Sequence, residues 1–115
     1  MAFNDIERKR IEKTLGGFLA KRRPPPHIRP QLDLGYRLSG QSVEILEIRP
    51  QWDDKSIIRQ YSIAKATYVR SRKLWKVFWK RADLKWHVYD PHPTAGAIDE
   101  FLEIVDADEC CCFFG

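Results

Sequence analysis

The sequence is thin in the residues on which most compact chemical motifs depend. It has three cysteines in 115 residues, and they are contiguous, Cys110-Cys111-Cys112. Contiguous cysteines cannot staple distant parts of a chain, so no disulfide framework is available. No run approaches the ~18–20 apolar residues that cross a bilayer, so no membrane helix is expected. Met1 to Arg10 is polar and charged. A secretory leader needs an apolar stretch there, so a cytoplasmic chain is expected. There is no glycine-rich phosphate loop, no G-x-S-x-G elbow, no H-E-x-x-H and no C-x-x-C. His27, His87 and His92 are scattered. His87, His92 and the terminal cysteines are the one combination with zinc-ligand chemistry, and they lack paired ligand spacing. Neither a metal nor a cofactor is expected.

Basic residues are also missing from one end. Lys85 is the last Lys or Arg in the chain. The formal net charge of +4 is therefore the remainder of large opposed segments: +5 over residues 1–30, −3 over 31–54, +9 over 55–86 and −7 over 87–115. Two readings follow. The basic segment forms a face for a polyanion, or the acidic end folds over it and neutralises it. The balance of 43% apolar and 31% charged residues is ordinary for a globular protein and excludes a disordered tail or a fibre. The length suits a single domain over residues 1–115.

Residues 4–22 read as a helix. Asn4 is a good N-cap, and Glu7 three residues on completes a capping box. Ile11, Leu15, Phe18 and Leu19 form one apolar stripe. Gly16-Gly17 weakens the helix and implies either close packing on a sheet or a late fray or kink. Pro24-Pro25-Pro26 ends it, and the stretch to Pro30 reads as a stiff polyproline connector.

Residues 31–38 and 43–50 read as a hairpin. Leu32, Leu34, Tyr36 and Leu38 alternate with polar or small residues, and Gly40 suits the turn. Residues 62–70, 74–81 and 85–90 read as further strands. Whether 56–60 is a helical turn or a loop stays open. Pro91-His92-Pro93 breaks the pattern, and a second helix starts near Thr94. Ile98, Phe101, Leu102 and Val105 give it an apolar stripe opposite Asp99, Glu100 and Glu103. The fold class is α+β, an antiparallel meander of about five strands with an N-terminal and a C-terminal helix.

Opposed residues of a hairpin share a face. An even turn at 39–42 sets Leu34 opposite Glu47 and Leu32 opposite Arg49, which puts a charged pair on an apolar face. That pair is functional, or it simply neutralises at a wet end of the sheet. A two-residue loop at Asp83-Leu84 would put Trp75, Val77, Trp79, Trp86 and Val88 together. Lys76, Phe78, Lys80, Lys85, His87 and Tyr89 would then share the other face. Cations interleaved with rings suit a single-stranded nucleic acid. With Arg70, Arg72, Lys73 and Arg81 they form the candidate binding set, for nucleic acid or for an acidic protein.

Two rival readings use other residues. Metal-dependent nucleases place acids on a helix and on successive strands. Here Glu7 and Glu12 precede Asp33 and the run Glu47-Ile48-Arg49. Arg49 stands where such sites carry Lys and cannot lose its proton. Asp33 and Glu47 also fall on opposite faces. The other rival is a protein–protein adaptor using Phe113-Phe114. On balance the chain reads as a non-enzymatic binding module.

The blocks RRPPPHIRPQLDLGY and RADLKWHVY, with the terminal CFFG, resemble a bacterial family of small proteins, domain-of-unknown-function family 3024. The resemblance covers nearly the whole chain. It implies a small stand-alone bacterial domain and carries no activity, cofactor or site residue.

Overall fold

Asn4 starts the first helix as its sequence suggests. In the computed structural model, which describes residues 3–81 and 83–108, α1 spans Asp5–Arg22. The Asn4 side chain accepts from the Glu7 N–H, and the Glu7 carboxylate accepts from the Asn4 N–H. Ile11 and Leu15 are buried and Phe18 packs beside them. Gly16 and Gly17 do not pack closely: both are exposed, with open space where a Cβ would stand, and the helix continues past them to Arg22. Arg23 is extended, at φ −62° and ψ 135°, because Pro24 excludes the helical conformation before it.

The proline segment is not the extended strap its composition suggests. The Pro25 carbonyl accepts from the Ile28 and Arg29 N–H groups, and the Ile28 carbonyl accepts from Gln31 and Leu32. Proline's fixed φ also suits the second position of a tight turn, and Pro26 takes that place here.

Among the described residues six strands follow: β1 Asp33–Ser39, β2 Ser42–Pro50, β3 Ile58–Val69, β4 Leu74–Lys80, β5 Trp86–Val88 and β6 Thr94–Ala95. The sheet is an antiparallel meander in the order β1-β2-β3-β4-β5, with β6 also pairing β4. The first hairpin has the expected register, Leu38 opposite Val43 and Leu34 opposite Glu47. It turns on Gly40-Gln41, with Gly40 at φ 60°. Strand β3 starts at Ile58, so 58–60, undecided from sequence, is strand. The β2–β3 register shifts where Ile45 pairs Ala64 and Leu46 pairs Ser62, leaving Ile63 as a bulge. The second helix, α2, covers Ile98–Ala107 and begins after β6 rather than near Thr94.

Both helices pack on one face of the sheet. The core joins Ile11 and Leu15 of α1 and Phe101, Leu102, Ile104 and Val105 of α2 to Val43, Ile45, Ala64, Ala66, Trp75 and Val77 of the strands. Among the described residues no helix is long and apolar enough to cross a membrane.

Candidate nucleic-acid interface

Strand alternation sends Lys76, Phe78 and Lys80 of β4 away from the core face that holds Trp75, Val77 and Trp79. Lys65 of β3 pairs Phe78, and Thr67 pairs Lys76, so they share this outer face. Strand β5 adds Trp86 opposite Lys80 and Val88 opposite Phe78. Lys76 and Val88 are exposed, and Lys65, Phe78, Lys80 and Trp86 are half-buried.

The acidic helix does not cover this face. It lies across the sheet from it, with Asp99, Glu100, Glu103 and Asp106 exposed. Of the two readings of the charge pattern, direct neutralisation by α2 is excluded by this placement. Lys65 and Lys80 instead pair with rings, and Lys65 also stands opposite Glu44 of β2. The Lys65 ammonium lies 5.0 Å from the centre of the Phe78 ring and 5.0 Å from that of Trp86. The Lys80 ammonium lies 5.0 Å over Trp86. Such contacts contribute about 0.5–1 kcal/mol at exposed sites and hold cation and ring together.

Part of the expected set lies elsewhere. Lys85, His87 and Tyr89 are on the helix side, Lys85 opposite Arg81, His87 opposite Trp79 and Tyr89 buried at 1% exposure. The reason is loop length. The β4–β5 hairpin is closed by the Arg81 N–H donating to the Lys85 carbonyl, which leaves a loop of three residues, 82–84, between them. Leu84 takes φ 62° to make it. One residue more than expected reverses the face of every side chain after it. Trp86 and Val88 thereby move from the expected core to the outer face.

Arg70 is committed to Glu7 of α1, at 2.9 Å for each of two bonds. The Arg81 guanidinium lies 5.7 Å over Trp79, toward the helix side. Arg72 and Lys73 are exposed in the β3–β4 turn, at the end of β4 away from Lys80 and Lys85. Asp83 braces the β4–β5 loop. It accepts from the Lys85 N–H at 2.9 Å and lies 2.9 Å from His87 Nε2. Those bonds, the backbone one first, hold its carboxyl below the usual range.

Sequence reasoning missed Lys65 and Trp86. Lys65 was legible, because Ala64, Ala66 and Tyr68 alternate with Lys65 and Thr67 as a half-buried strand does. Trp86 depended on the loop.

The family described as Domain of unknown function (DUF3024) matches residues 3–115. The chain belongs to this family. No curated protein and no solved structure matches it.

In this DUF3024 chain the rival acidic constellation is dispersed. Asp33 accepts two bonds from Arg23, at 2.6 and 2.7 Å, which hold its carboxyl low. Glu47 is on the other face, in a cleft lined by Arg22, Pro24, Leu32 and Leu34. Arg49 lies 4.6 Å over the Tyr61 ring. Among the described residues no three His, Cys, Asp or Glu side chains gather closely enough to hold a metal ion. Cys110 to Phe114, with the adaptor reading and the zinc combination that use them, lie outside the described residues.

Proposed function

We propose that this chain is a non-enzymatic binding module for single-stranded nucleic acid, using the outer sheet face of Lys65, Lys76, Phe78, Lys80 and Trp86. The observation that carries the reading is the Lys65 ammonium shared by two rings on a face that neither α1 nor α2 covers. Cations on such a face neutralise phosphates, and the rings offer π-faces to bases. Arg72 and Lys73 at the turn end of β4 extend the path for the phosphate backbone. A sheet face suits an open strand, since single-stranded bases can be splayed onto it.

The test is a titration of labelled single-stranded oligonucleotide at several salt concentrations. Binding should weaken linearly in log–log form, with a slope of about −0.7 for each phosphate neutralised. Absence of binding at low salt overturns the reading. A partner with an acidic protein surface would use the same lysines without stacking on the rings, and its affinity would not change on removing them.

A further inference from the structure

Phe78 and Trp86 come from different strands and reach one face only because the β4–β5 loop has three residues. Each ring centre is 5.0 Å from the same Lys65 ammonium, so the two centres are at most 10 Å apart, twice that distance. The other tryptophans are placed differently. Trp75 is buried, Trp79 faces the helices and Trp52 is on the β2–β3 loop at 91% exposure. Trp86 is therefore the one tryptophan that shares a face with a second ring and with Lys65, Lys76 and Lys80.

We infer that Phe78 and Trp86 form a two-base stacking platform, and that the Lys65 ammonium is the group that incoming bases displace. The inference rests on the nucleic-acid reading of this face. The ammonium occupies the space above both rings that bases would use, and it is attached to a long flexible stem. A strand crossing the face supplies both groups needed for the exchange. Its bases take over the rings, and a neighbouring phosphate takes over the ammonium. Lys65 thus fills the platform when it is empty and becomes a phosphate contact when it is occupied. Phosphate contacts set affinity for any strand, whereas the rings respond only to bases.

Two labelled probes of about twelve nucleotides separate these roles: oligothymidylate, and a strand of the same phosphate number without bases. With the full chain, Trp86→Ala and Phe78→Ala should each weaken oligothymidylate binding about 5- to 150-fold, equivalent to about 1–3 kcal/mol per base. The abasic strand should bind both variants as it binds the parent. Lys65→Met keeps the stem and removes the charge. It should weaken the abasic strand and raise the ratio of oligothymidylate to abasic affinity, because Phe78 is then clear and only the Lys80 ammonium still has to leave Trp86. If Trp86→Ala does not fold, Trp86→Leu keeps bulk, lacks the π-face and serves the same test. Equal weakening of both probes, or of neither, overturns the platform while leaving phosphate binding standing. Failure of the parent chain to bind either probe overturns the reading of the face and this inference with it.

Discussion

Glu7 in the first turn of α1 and Arg70 in the β3–β4 turn, 63 positions apart, are joined through both carboxylate oxygens at 2.9 Å. The same carboxylate caps the Asn4 N–H at 3.0 Å. One side chain thus closes the helix start and ties it to the far end of the sheet. The Arg70 bonds first, then that from Asn4, lower the Glu7 pKa from 4.5 to about 2. The folded value lies below the unfolded one, so the stabilisation is present above pH 4.5 and is lost as pH falls through about 2. Glu7→Gln should lower the melting temperature at neutral pH. The gap from the parent should close between pH 4.5 and about 2, as read by thermal melts across that range.

Phe101 is fully buried where α2 meets the sheet, whereas Val88 is exposed on the outer face. Phe101→Ala should destabilise the fold by about 3–5 kcal/mol, through lost transfer energy and the cavity left behind. Val88→Ala should stay within about 0.5 kcal/mol of the parent. Denaturant unfolding measures both. Equal effects would mean that the two faces are not divided into core and surface as described.

Much of the fold was legible because local chemistry and periodicity agreed. Asn4 and Glu7 announce the helix start, and the Leu32–Leu38 alternation with Gly40 sets the first hairpin and its parity. Ile98 to Val105 declares the second helix. What was not legible depended on counts that no residue type encodes. Leu84 holds a left-handed conformation that usually belongs to Gly or Asn, so nothing marked the loop as three residues long. That single residue misplaced Lys85, Trp86, His87, Val88 and Tyr89 together. The prolines were compatible with both an extended strap and tight turns, and hydrogen bonds to the Pro25 and Ile28 carbonyls decided between them. Arg70 read as a surface cation because its partner lies 63 residues away.

Leu84 itself offers a stability test. It is 78% exposed, so it contributes little burial, and it sits at φ 62°, where a Cβ is disfavoured. Leu84→Gly relieves that conformation, offset in part by the greater entropy of glycine in the unfolded chain. The net effect should be a gain of up to about 1 kcal/mol. Leu84→Val, branched at Cβ, should lower stability. A melting temperature raised by valine and lowered by glycine would contradict the loop geometry.

The two charged layers predict different responses to charge reversal. Lys76 and Lys80 share the outer face with Lys65 and Trp86, whereas Glu103 projects from α2 beyond the core. Lys76→Glu with Lys80→Glu should abolish most oligonucleotide binding and flatten its salt dependence, since each lost phosphate contact removes about 0.7 from the slope. Stability should fall by no more than about 0.5–1 kcal/mol, the Lys80–Trp86 contact, because neither lysine forms an ion pair with a carboxylate in the described structure. Glu103→Lys should alter binding far less. Screening at physiological salt acts over about 8 Å, and a whole sheet and its core lie between α2 and the outer face. Anisotropy titrations of the two variants against the parent distinguish a local interface from a general gain in positive charge. If Glu103→Lys strengthened binding as much as Lys76→Glu with Lys80→Glu weakened it, net charge rather than the outer face would govern the interaction.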